Sequence, residues 1–247
     1  MNKRQFGEAL KAASEFGSCG IGTYMERSQH RALKFFFEPD PSYHEIPVHT
    51  YIADICKNGH IYEIQTSAFG NLTSKLEVFL KEYEVSVVYP AAVRKSVIWS
   101  DPESGEVAEG RTVTKRSVRF KFLSELLHII PFFGYDNFSL IVAETAVDDL
   151  RLLDGRGKDR KIKATKIDRI PKDILSLTKI ENPCDVKRFA ELEDECEYTR
   201  ESFGKKYALK GRNLSAAIKA LLLLELICED RREGRRIIYK VRDNGSL

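Results

Sequence analysis

The amino-acid sequence predicts an α/β (α+β) protein, in which a mixed sheet flanked by helices precedes a small C-terminal domain of helices and one hairpin. The chain has 247 residues, of which 43% are hydrophobic and 31% charged, so it can bury a sizeable core or two modest ones. Segments with strand-like and helix-like patterns alternate over residues 1–150, as in a sheet covered by helices. Charge is uneven, with 16 basic and 20 acidic residues over 1–150 but 24 basic and 17 acidic over 151–247.

Two helices and a hairpin are predicted in the first third of the chain. The spacing of apolar residues predicts helices over 5–16 and 24–37, and a proline-rich segment ends the second. From Tyr43 to Thr66, β-branched and aromatic residues alternate with polar ones on both sides of Asn58-Gly59. Because both residues of this dipeptide readily adopt positive φ, it predicts a two-residue hairpin turn.

The middle of the chain is predicted to complete the sheet. Asn71 is a suitable N-cap for an amphipathic helix whose apolar stripe extends to Tyr83. The nearly all-apolar segment Val85 to Pro90 is typical of a buried strand. The remaining predicted elements are a second hairpin over 93–116, an apolar helix over 117–131 and a strand over 138–145.

Basic residues are concentrated after residue 150. Positions 155–172 alone hold eight Lys and Arg residues against two acidic ones. We therefore predict three consecutive segments: a domain over 1–150, a basic linker or arm over 151–182, and a second domain over 183–247. Excess positive charge indicates a polyanionic partner, and solvated lysines on a linker are the alternative.

The sequence offers no segment that would direct the chain into or across a membrane. No apolar run reaches the roughly 18 residues that a membrane span requires. The first residues lack the apolar stretch and cleavage site of a secretory leader. We therefore expect a cytoplasmic protein with no membrane partner.

The first predicted hairpin places two carboxylates opposite each other. With a two-residue turn at Asn58-Gly59, Asp54 faces Glu63 across the strand pair, and Gln65 lies on the same face. Opposed carboxylates destabilise a hairpin by up to about 1 kcal/mol, so they favour a compensating proton or cation. A divalent ion such as Mg²⁺ or Mn²⁺, bound also by water and phosphate oxygens, would supply it. The alternative is an exposed edge hairpin whose acids are solvated.

These residues also carry a resemblance to a known family. Asp54, eight intervening residues and then Glu63-Ile64-Gln65, with an amphipathic helix and a buried strand behind, resemble the PD-(D/E)xK nuclease superfamily over about residues 24–145. The local sequence is most similar to the branch of this superfamily that has E-x-Q in place of E-x-K, as in the nuclease-like domain of competence CoiA-type proteins. The chain also resembles uncharacterised bacterial proteins that join such a domain to a C-terminal winged helix.

The resemblance implies a restriction-endonuclease-like sheet and assigns roles to individual residues. Asp54 and Glu63 match the metal-ligating acids, and Ile64 would contribute its backbone carbonyl. Gln65 occupies the position of the usual catalytic lysine, where an amide can donate hydrogen bonds but supplies no charge. Lys75, on the following helix, is the candidate for the missing positive charge, and an ordinary surface lysine is the alternative.

Residues 197–242 have the pattern of a winged helix-turn-helix. A short helix over 201–208 and a Gly-containing turn precede a helix that begins at Asn213 or Ser215 and ends near Cys228, followed by a basic hairpin. In such modules the start of the second helix meets the major groove and the hairpin tip reaches phosphates. The residues predicted to contact nucleic acid are Arg212, Asn213, Ser215, Lys219, Arg231, Arg232, Arg235 and Arg236. Winged helices also serve in dimerisation or protein docking, which is the alternative.

Two functions follow from these patterns. The first is a Mg²⁺- or Mn²⁺-dependent nuclease acting on DNA, with RNA as a weaker alternative polymer and a homodimer as the form suited to cutting two strands. The second is a non-catalytic DNA-binding regulator, whose degenerate nuclease-like domain serves for dimerisation or binding. The missing lysine at Gln65 favours the second.

Overall fold

The computed structural model describes residues 3–17, 28–156 and 163–243, and it has a mixed α/β fold with a large mixed sheet flanked by helices. The helices are α1 (Lys3–Gly17), α2 (Ser28–Phe37), α3 (Thr73–Phe79), α4 (Pro183–Phe189), α5 (Arg200–Tyr207) and α6 (Gly211–Leu223). The first six strands are β1 (His44–Val48), β2 (Tyr51–Lys57), β3 (His60–Ile64), β4 (Glu84–Ser100), β5 (Val107–Glu109) and β6 (Val113–Thr114). The others are β7 (Phe138–Leu152), β8 (Thr165–Ile180), β9 (Glu197–Thr199), β10 (Ile227–Glu233) and β11 (Arg236–Val241).

The chain divides into two compact units, and neither is continuous in sequence. The first unit comprises residues 1–44, 92–116 and 143–176. The second comprises residues 45–91, 117–142 and 177–247. Strands β4, β7 and β8 each contribute residues to both units. This organisation differs from the three consecutive segments expected from the charge distribution.

The first unit contains α1, α2 and the distal half of β4. Helices α1 and α2 pack through Phe6 and Phe36, whose ring centroids lie 5.7 Å apart. Within β4, Arg94 pairs with Thr114 of β6, and Ile98 pairs with Glu109 of β5, both in antiparallel register. The expected second hairpin is therefore present, although its first strand is a continuation of the buried strand that precedes it.

Strand β8 occupies most of the segment that we expected to be a basic linker. In the first unit, Arg169 Nε lies 2.7 Å from Asp149 Oδ1 on β7, and Lys166 and Lys95 each place Nζ 3.3 Å from the same carboxylate. Burial alone would raise the pKa of Asp149, but the hydrogen bond and charge of Arg169, together with the two lysines, lower it to about 2. The linker prediction is wrong over Thr165–Ile180, because this range forms strand β8. Part of its positive charge neutralises a buried acid.

The second unit contains the hairpin and the buried strand predicted from sequence. The strand order is β1-β2-β3-β4-β7-β8, with β2 antiparallel to β3 and β3 parallel to β4. The proximal half of β4 is buried, including Val85, Val87 and Val88, and this confirms the predicted buried strand. Helix α3 packs on the core through Leu76 and Phe79, and it follows a 3₁₀ turn instead of an Asn71 N-cap.

The apolar segment 117–131 does not form the predicted α-helix. It folds into three short 3₁₀ segments, Arg116–Ser124, Leu126–His128 and Ile130–Gly134. Every third residue of this region is buried, namely Phe120, Leu123, Leu126, Ile129 and Phe132, and Phe122 is buried in addition. Because a 3₁₀ helix has 3.0 residues per turn and an α-helix 3.6, this spacing suits the 3₁₀ form. The helix prediction is therefore wrong here.

The C-terminal module, defined as residues 183–243 within the second unit, combines α4–α6 with a three-stranded antiparallel sheet of order β10-β11-β9. Helix α6 begins at Gly211 with Lys210 in the N-cap position, so the predicted start at Asn213 or Ser215 is wrong. The helix ends at Leu223, because Glu225 adopts a φ of 57° and the chain turns into β10. No helix in the described ranges is long and apolar enough to cross a membrane.

Candidate functional site

The acidic hairpin of β2 and β3 has the predicted turn. Asn58-Gly59 adopts φ values of 51° and 78°, which are the positive values that a tight hairpin turn requires. Ile55 pairs with Tyr62 in antiparallel register. One step further along the two strands, this register brings Asp54 opposite Glu63.

The two carboxylates are interlocked with the backbone of the opposite strand. The Asp54 N–H donates to Glu63 Oε1 at 3.2 Å, and the Ile64 N–H donates to Asp54 Oδ2 at 2.7 Å. Glu63 is only 3% exposed, whereas Asp54 is half-buried. The hairpin therefore holds both acidic groups at one end, with fixed orientations.

Lys75 of α3 completes the site from a neighbouring element. Its Nζ donates to Glu63 Oε2 at 2.6 Å, and the lysine side chain is 18% exposed. The ammonium group also lies 5.7 Å from the centroid of the Phe79 ring. Lys75 therefore lies in contact with the acidic pair, and its catalytic role stays a prediction.

Glu63 has an unusual affinity for protons. Burial is the largest cause that raises its pKa, and the charge of Asp54 adds to it. The charge and hydrogen bond of Lys75 oppose these effects, and the result is a pKa of about 7. Near neutral pH, this carboxyl group therefore binds either a proton or another cation.

Gln65 lies next to the site, but its side chain is engaged elsewhere. Its Nε2 donates to the carbonyls of Ser67, at 2.5 Å, and Ala68, at 3.3 Å. Ala68 has a φ of 58°, so this amide braces a strained turn before α3. The Gln65 backbone N–H donates to Val88 O at 2.9 Å, which continues the pairing of β3 with β4.

The side chains of the acidic site fit one kind of metal ion. Among the residues that the structure describes, no three or more His, Cys, Asp or Glu side chains form a group that could hold a metal. Two carboxylates nevertheless suit Mg²⁺, which binds through one or two carboxylates and completes its shell with water and phosphate oxygens. Asp54 and Glu63 are therefore the side chains of this site that could hold such an ion, although Glu63 Oε2 already accepts a hydrogen bond from Lys75 and Asp54 Oδ2 accepts one from the Ile64 N–H.

A second polar chain in the same unit was not predicted. His60 Nε2 lies 2.9 Å from Ser86 Oγ, which lies 2.8 Å from Ser139 Oγ, and Glu84 lies 3.9 Å from His60 Nδ1. Burial lowers the pKa of His60. Both serines are almost fully buried, so neither hydroxyl can reach a substrate. This series of hydrogen bonds is therefore structural. The serine that interrupts the apolar run of β4 was the available signal.

The residues predicted to contact nucleic acid lie on the surface of the C-terminal module. All eight are exposed, four on α6 and four in the β10–β11 hairpin. Ser215 also holds local structure, because its Oγ accepts a hydrogen bond from Arg200 at 2.8 Å and donates one to Gly211 O at 3.2 Å.

The four hairpin arginines are not equivalent. Arg231 binds Glu197 with both terminal nitrogens, at 2.5 and 2.9 Å, and also contacts Asp230 and Glu233. The hydrogen bond that Arg231 donates to Glu197 is the first of several effects that raise the pKa of Arg231. Arg231 therefore links β10 to β9. In contrast, Arg235 and Arg236 line a cavity, described below.

Comparison with known proteins assigns the chain to a family. It belongs to the family described as Domain of unknown function (DUF8091), which matches residues 27–181. A protein of Treponema pallidum (strain Nichols), described as an uncharacterized protein, is 29% identical over 163 residues, or 66% of this chain. The aligned region spans 64% of the length of that relative. No solved structure matches the chain.

The family match has a defined place in the fold. It includes the acidic site and ends one residue after β8, before the C-terminal module begins. The family description names no activity, so the resemblance to PD-(D/E)xK nucleases stays a prediction.

Proposed function

We propose that the chain is a metal-dependent nuclease that hydrolyses phosphodiester bonds in DNA, on a restriction-endonuclease-like fold with Asp54 and Glu63 as metal ligands. The observation that carries this proposal is the buried Glu63 carboxylate, held between a second carboxylate and the Lys75 ammonium group. A buried acid beside a like charge favours a bound cation, and carboxylate oxygens suit Mg²⁺ or Mn²⁺.

Each residue of the site has a distinct proposed role. A bound divalent ion supplies charge stabilisation at the phosphoryl group and lowers the pKa of a bound water. Asp54 and Glu63 would hold the ion, with the backbone carbonyl of Ile64 as a further oxygen ligand. Lys75, 2.6 Å from Glu63, is the catalytic cation that would stabilise negative charge on the phosphate.

Gln65 is proposed as a positioning residue. Its side-chain NH₂ group donates to the carbonyls of Ser67 and Ala68, so it shapes the turn that leads into α3. That helix carries Lys75. The E-x-Q variation is therefore compatible with catalysis if the lysine of the active site comes from α3.

We propose that the C-terminal module is a winged helix-turn-helix that binds DNA. The order α5, α6, β10 and β11, with β9 completing a small sheet, supports this assignment. Arg212, Asn213, Ser215 and Lys219 are exposed on α6 and would face the groove. The exposed Arg232, Arg235 and Arg236 would meet phosphates, whereas Arg231 is held by acidic neighbours.

A non-catalytic DNA-binding regulator is the second candidate. It is favoured because the side chains of Lys75, Glu63 and Gln65 already have partners without a metal. Lys75 and Glu63 form an ion pair, and Gln65 donates hydrogen bonds to backbone carbonyls. In this case the acidic hairpin is a structural element, and DNA binding or dimerisation is the function.

A cleavage assay separates the two candidates. Full-length protein is incubated with plasmid and oligonucleotide substrates in Mg²⁺ or Mn²⁺, alongside Asp54→Asn and Glu63→Gln. We expect each substitution to reduce cleavage at least about 100-fold, since each removes charge from the metal site. Glu77→Gln, an equal charge change at an exposed position of the same α3 helix, is the matched control and retains activity.

The outcomes are distinct. If the wild type binds DNA but does not cleave it, the nuclease proposal is wrong and the non-catalytic regulator is the supported function. Cleavage that persists in both variants would show that Asp54 and Glu63 are not the active site. Parallel RNA substrates determine which polymer is cut, and the dependence of the rate on protein concentration tests for a homodimer.

A further inference from the structure

The C-terminal module contains a cavity of about 450 Å³ that the proposed groove contacts do not use. It lies where the start of α5, the first turns of α6 and the beginning of β11 meet. Three arginines and a compact apolar wall line it. These residues are Arg200, Arg235, Arg236, Leu214, Ile237 and Tyr239. A cavity of this size accommodates a small organic ligand.

The charge of the cavity is positive. The guanidinium of Arg200 is fixed by hydrogen bonds to Gly211 O, at 3.1 Å, and to Ser215 Oγ, at 2.8 Å. Within the part of the chain that the structure describes, the side chains of Arg235 and Arg236 form no hydrogen bond and no ion pair. These two guanidinium groups are therefore available to an anion from outside.

The acidic residue of the lining does not cancel this charge. Glu201 forms an ion pair with Lys205 at 2.9 Å. The hydrogen bond and charge of Lys205 are the main reasons why the pKa of Glu201 is lowered, and the charge of Arg236 adds to them. Because Lys205 already balances Glu201, the three arginines leave an excess of positive charge at the cavity.

The wall beside the arginines is apolar and well packed. Leu214 and Tyr239 are buried, and the Tyr239 ring centroid lies 5.9 Å from that of Phe203. Burial raises the pKa of Tyr239, so its phenol stays neutral at physiological pH. An inorganic anion would leave this wall uncovered, whereas an anion joined to a flat, weakly polar group would cover it.

We propose that this cavity binds one nucleotide unit, with its phosphate on Arg235 and Arg236 and its base against the wall formed by Leu214, Ile237 and Tyr239. Guanidinium groups bind phosphate oxygens in pairs, and bases stack on aromatic rings and on guanidinium planes. The inference rests on the proposed nucleic-acid role of the chain and names the chemical unit that the module recognises. A phosphorylated strand end and a free mononucleotide share this chemistry.

Calorimetric titration of the full-length chain without divalent metal tests the proposal. The probes are deoxyadenosine 5′-monophosphate, deoxyadenosine, inorganic phosphate, and a six-nucleotide strand with and without a 5′-phosphate. We expect saturable one-to-one binding of the mononucleotide, at least about tenfold tighter than that of the nucleoside or of phosphate alone. Equal binding of phosphate and mononucleotide, or no binding of the mononucleotide, would overturn the proposal.

Matched variants show whether the cavity is responsible. The double variant Arg235→Gln/Arg236→Gln is expected to weaken mononucleotide binding at least about tenfold. Arg232→Gln is the control, because Arg232 is exposed on the same hairpin but does not line the cavity. Equal weakening by the control would show that diffuse positive charge binds the ligand, and the proposal would be wrong. Thermal melts compare the folding of the variants.

The strand probes identify the source of the nucleotide and separate this proposal from the nuclease. A phosphorylated strand that binds at least about tenfold tighter than the mononucleotide indicates a strand end, and equal affinity indicates a free nucleotide. Both results support the cavity. If the wild-type chain cleaves DNA but binds no mononucleotide, only the proposal for the cavity is wrong. If it binds the mononucleotide but does not cleave DNA, only the nuclease proposal is wrong.

Discussion

The carboxyl group of Glu63 is subject to opposing effects on its pKa. Burial and the neighbouring Asp54 raise it, Lys75 lowers it, and the resulting pKa is about 7. Near neutral pH, the protonated and charged forms therefore have similar populations. In this account a divalent cation takes the place of that proton when phosphate is bound.

The raised pKa of Glu63 should make the free energy of unfolding depend on pH. Between pH 4.5, the ordinary pKa of a glutamate, and pH 7, the folded chain retains the Glu63 proton and the unfolded chain releases it. The free energy of unfolding that depends on Glu63 therefore falls as pH rises through this window, by up to about 3 kcal/mol. Urea unfolding at pH 5 and pH 8 in EDTA measures the fall, and Glu63→Gln should remove it.

The control for this prediction is Glu77→Gln, which lies on the exposed side of α3. It should leave the pH dependence of unfolding as in the wild type. If Glu63→Gln and the wild type lose the same stability between the two pH values, the pKa of Glu63 is ordinary and the proposed competition between proton and metal is wrong.

Asp54 and Gln65 mark how far the sequence alone predicts the site. The opposition of Asp54 to Glu63 depends only on a two-residue turn, which is local information. The direction of the Gln65 amide depends on the carbonyls of Ser67 and Ala68, and the φ of 58° at Ala68 is not indicated by an alanine. The sequence therefore predicts the acidic pair but not the environment of the amide.

At the scale of elements, the β2–β3 hairpin fixes the acidic pair through its turn. Gly59 has a φ of 78°, and a Cβ at this position would meet nothing within 4 Å. Gly59→Ala therefore costs stability through backbone strain alone, which we expect to be about 1 kcal/mol. Gly7→Ala, in the middle of α1 and equally free of contacts, should instead stabilise by about 0.5–1 kcal/mol.

Urea unfolding of both glycine variants measures these values. Because the turn sets the register of Asp54 and Glu63, Gly59→Ala should also lower metal-dependent cleavage, whereas Gly7→Ala should not. Equal stability of Gly59→Ala and the wild type would mean that the turn tolerates an L-residue without strain, and that the hairpin register is set elsewhere.

Elements were predictable where their pattern is local and not where their partners are distant. The buried strand at Val85 and the Asn58-Gly59 turn carry their own signals. The basic residues of strand β8 predict a linker, because the sequence does not show that two of them, Lys166 and Arg169, pair with Asp149 on another strand. The segment 117–131 is apolar enough for a helix, but most of its buried residues recur every three positions, as in a 3₁₀ helix.

At the scale of the whole molecule, the formal charge of +3 does not show which cations are already paired with acidic side chains. Arg169 and Lys166 neutralise Asp149, and Arg231 is surrounded by acids. The exposed cations without such partners in the described part of the module include Arg235 and Arg236. We therefore expect DNA affinity to depend on individual exposed cations such as these, and not on the net charge of the chain.

The salt dependence of DNA binding tests this distribution. Each phosphate contact contributes about 0.9 to the slope of log affinity against log salt concentration. Arg235→Gln/Arg236→Gln should therefore reduce the slope by about 2. Lys172→Gln, which removes a lysine paired with Asp148 at 2.9 Å, should leave it unchanged. Equal effects of the two variants, measured by fluorescence anisotropy, would contradict the assignment.

The match to the DUF8091 family covers the acidic site, for which we propose metal binding. Titration of the full-length protein with Mn²⁺, followed by electron paramagnetic resonance in the presence of a short DNA strand, tests it most directly. We expect one Mn²⁺ to bind per wild-type chain, with an affinity at least about tenfold weaker in Glu63→Gln and unchanged in Glu77→Gln. Equal Mn²⁺ binding by Glu63→Gln and the wild type would contradict it.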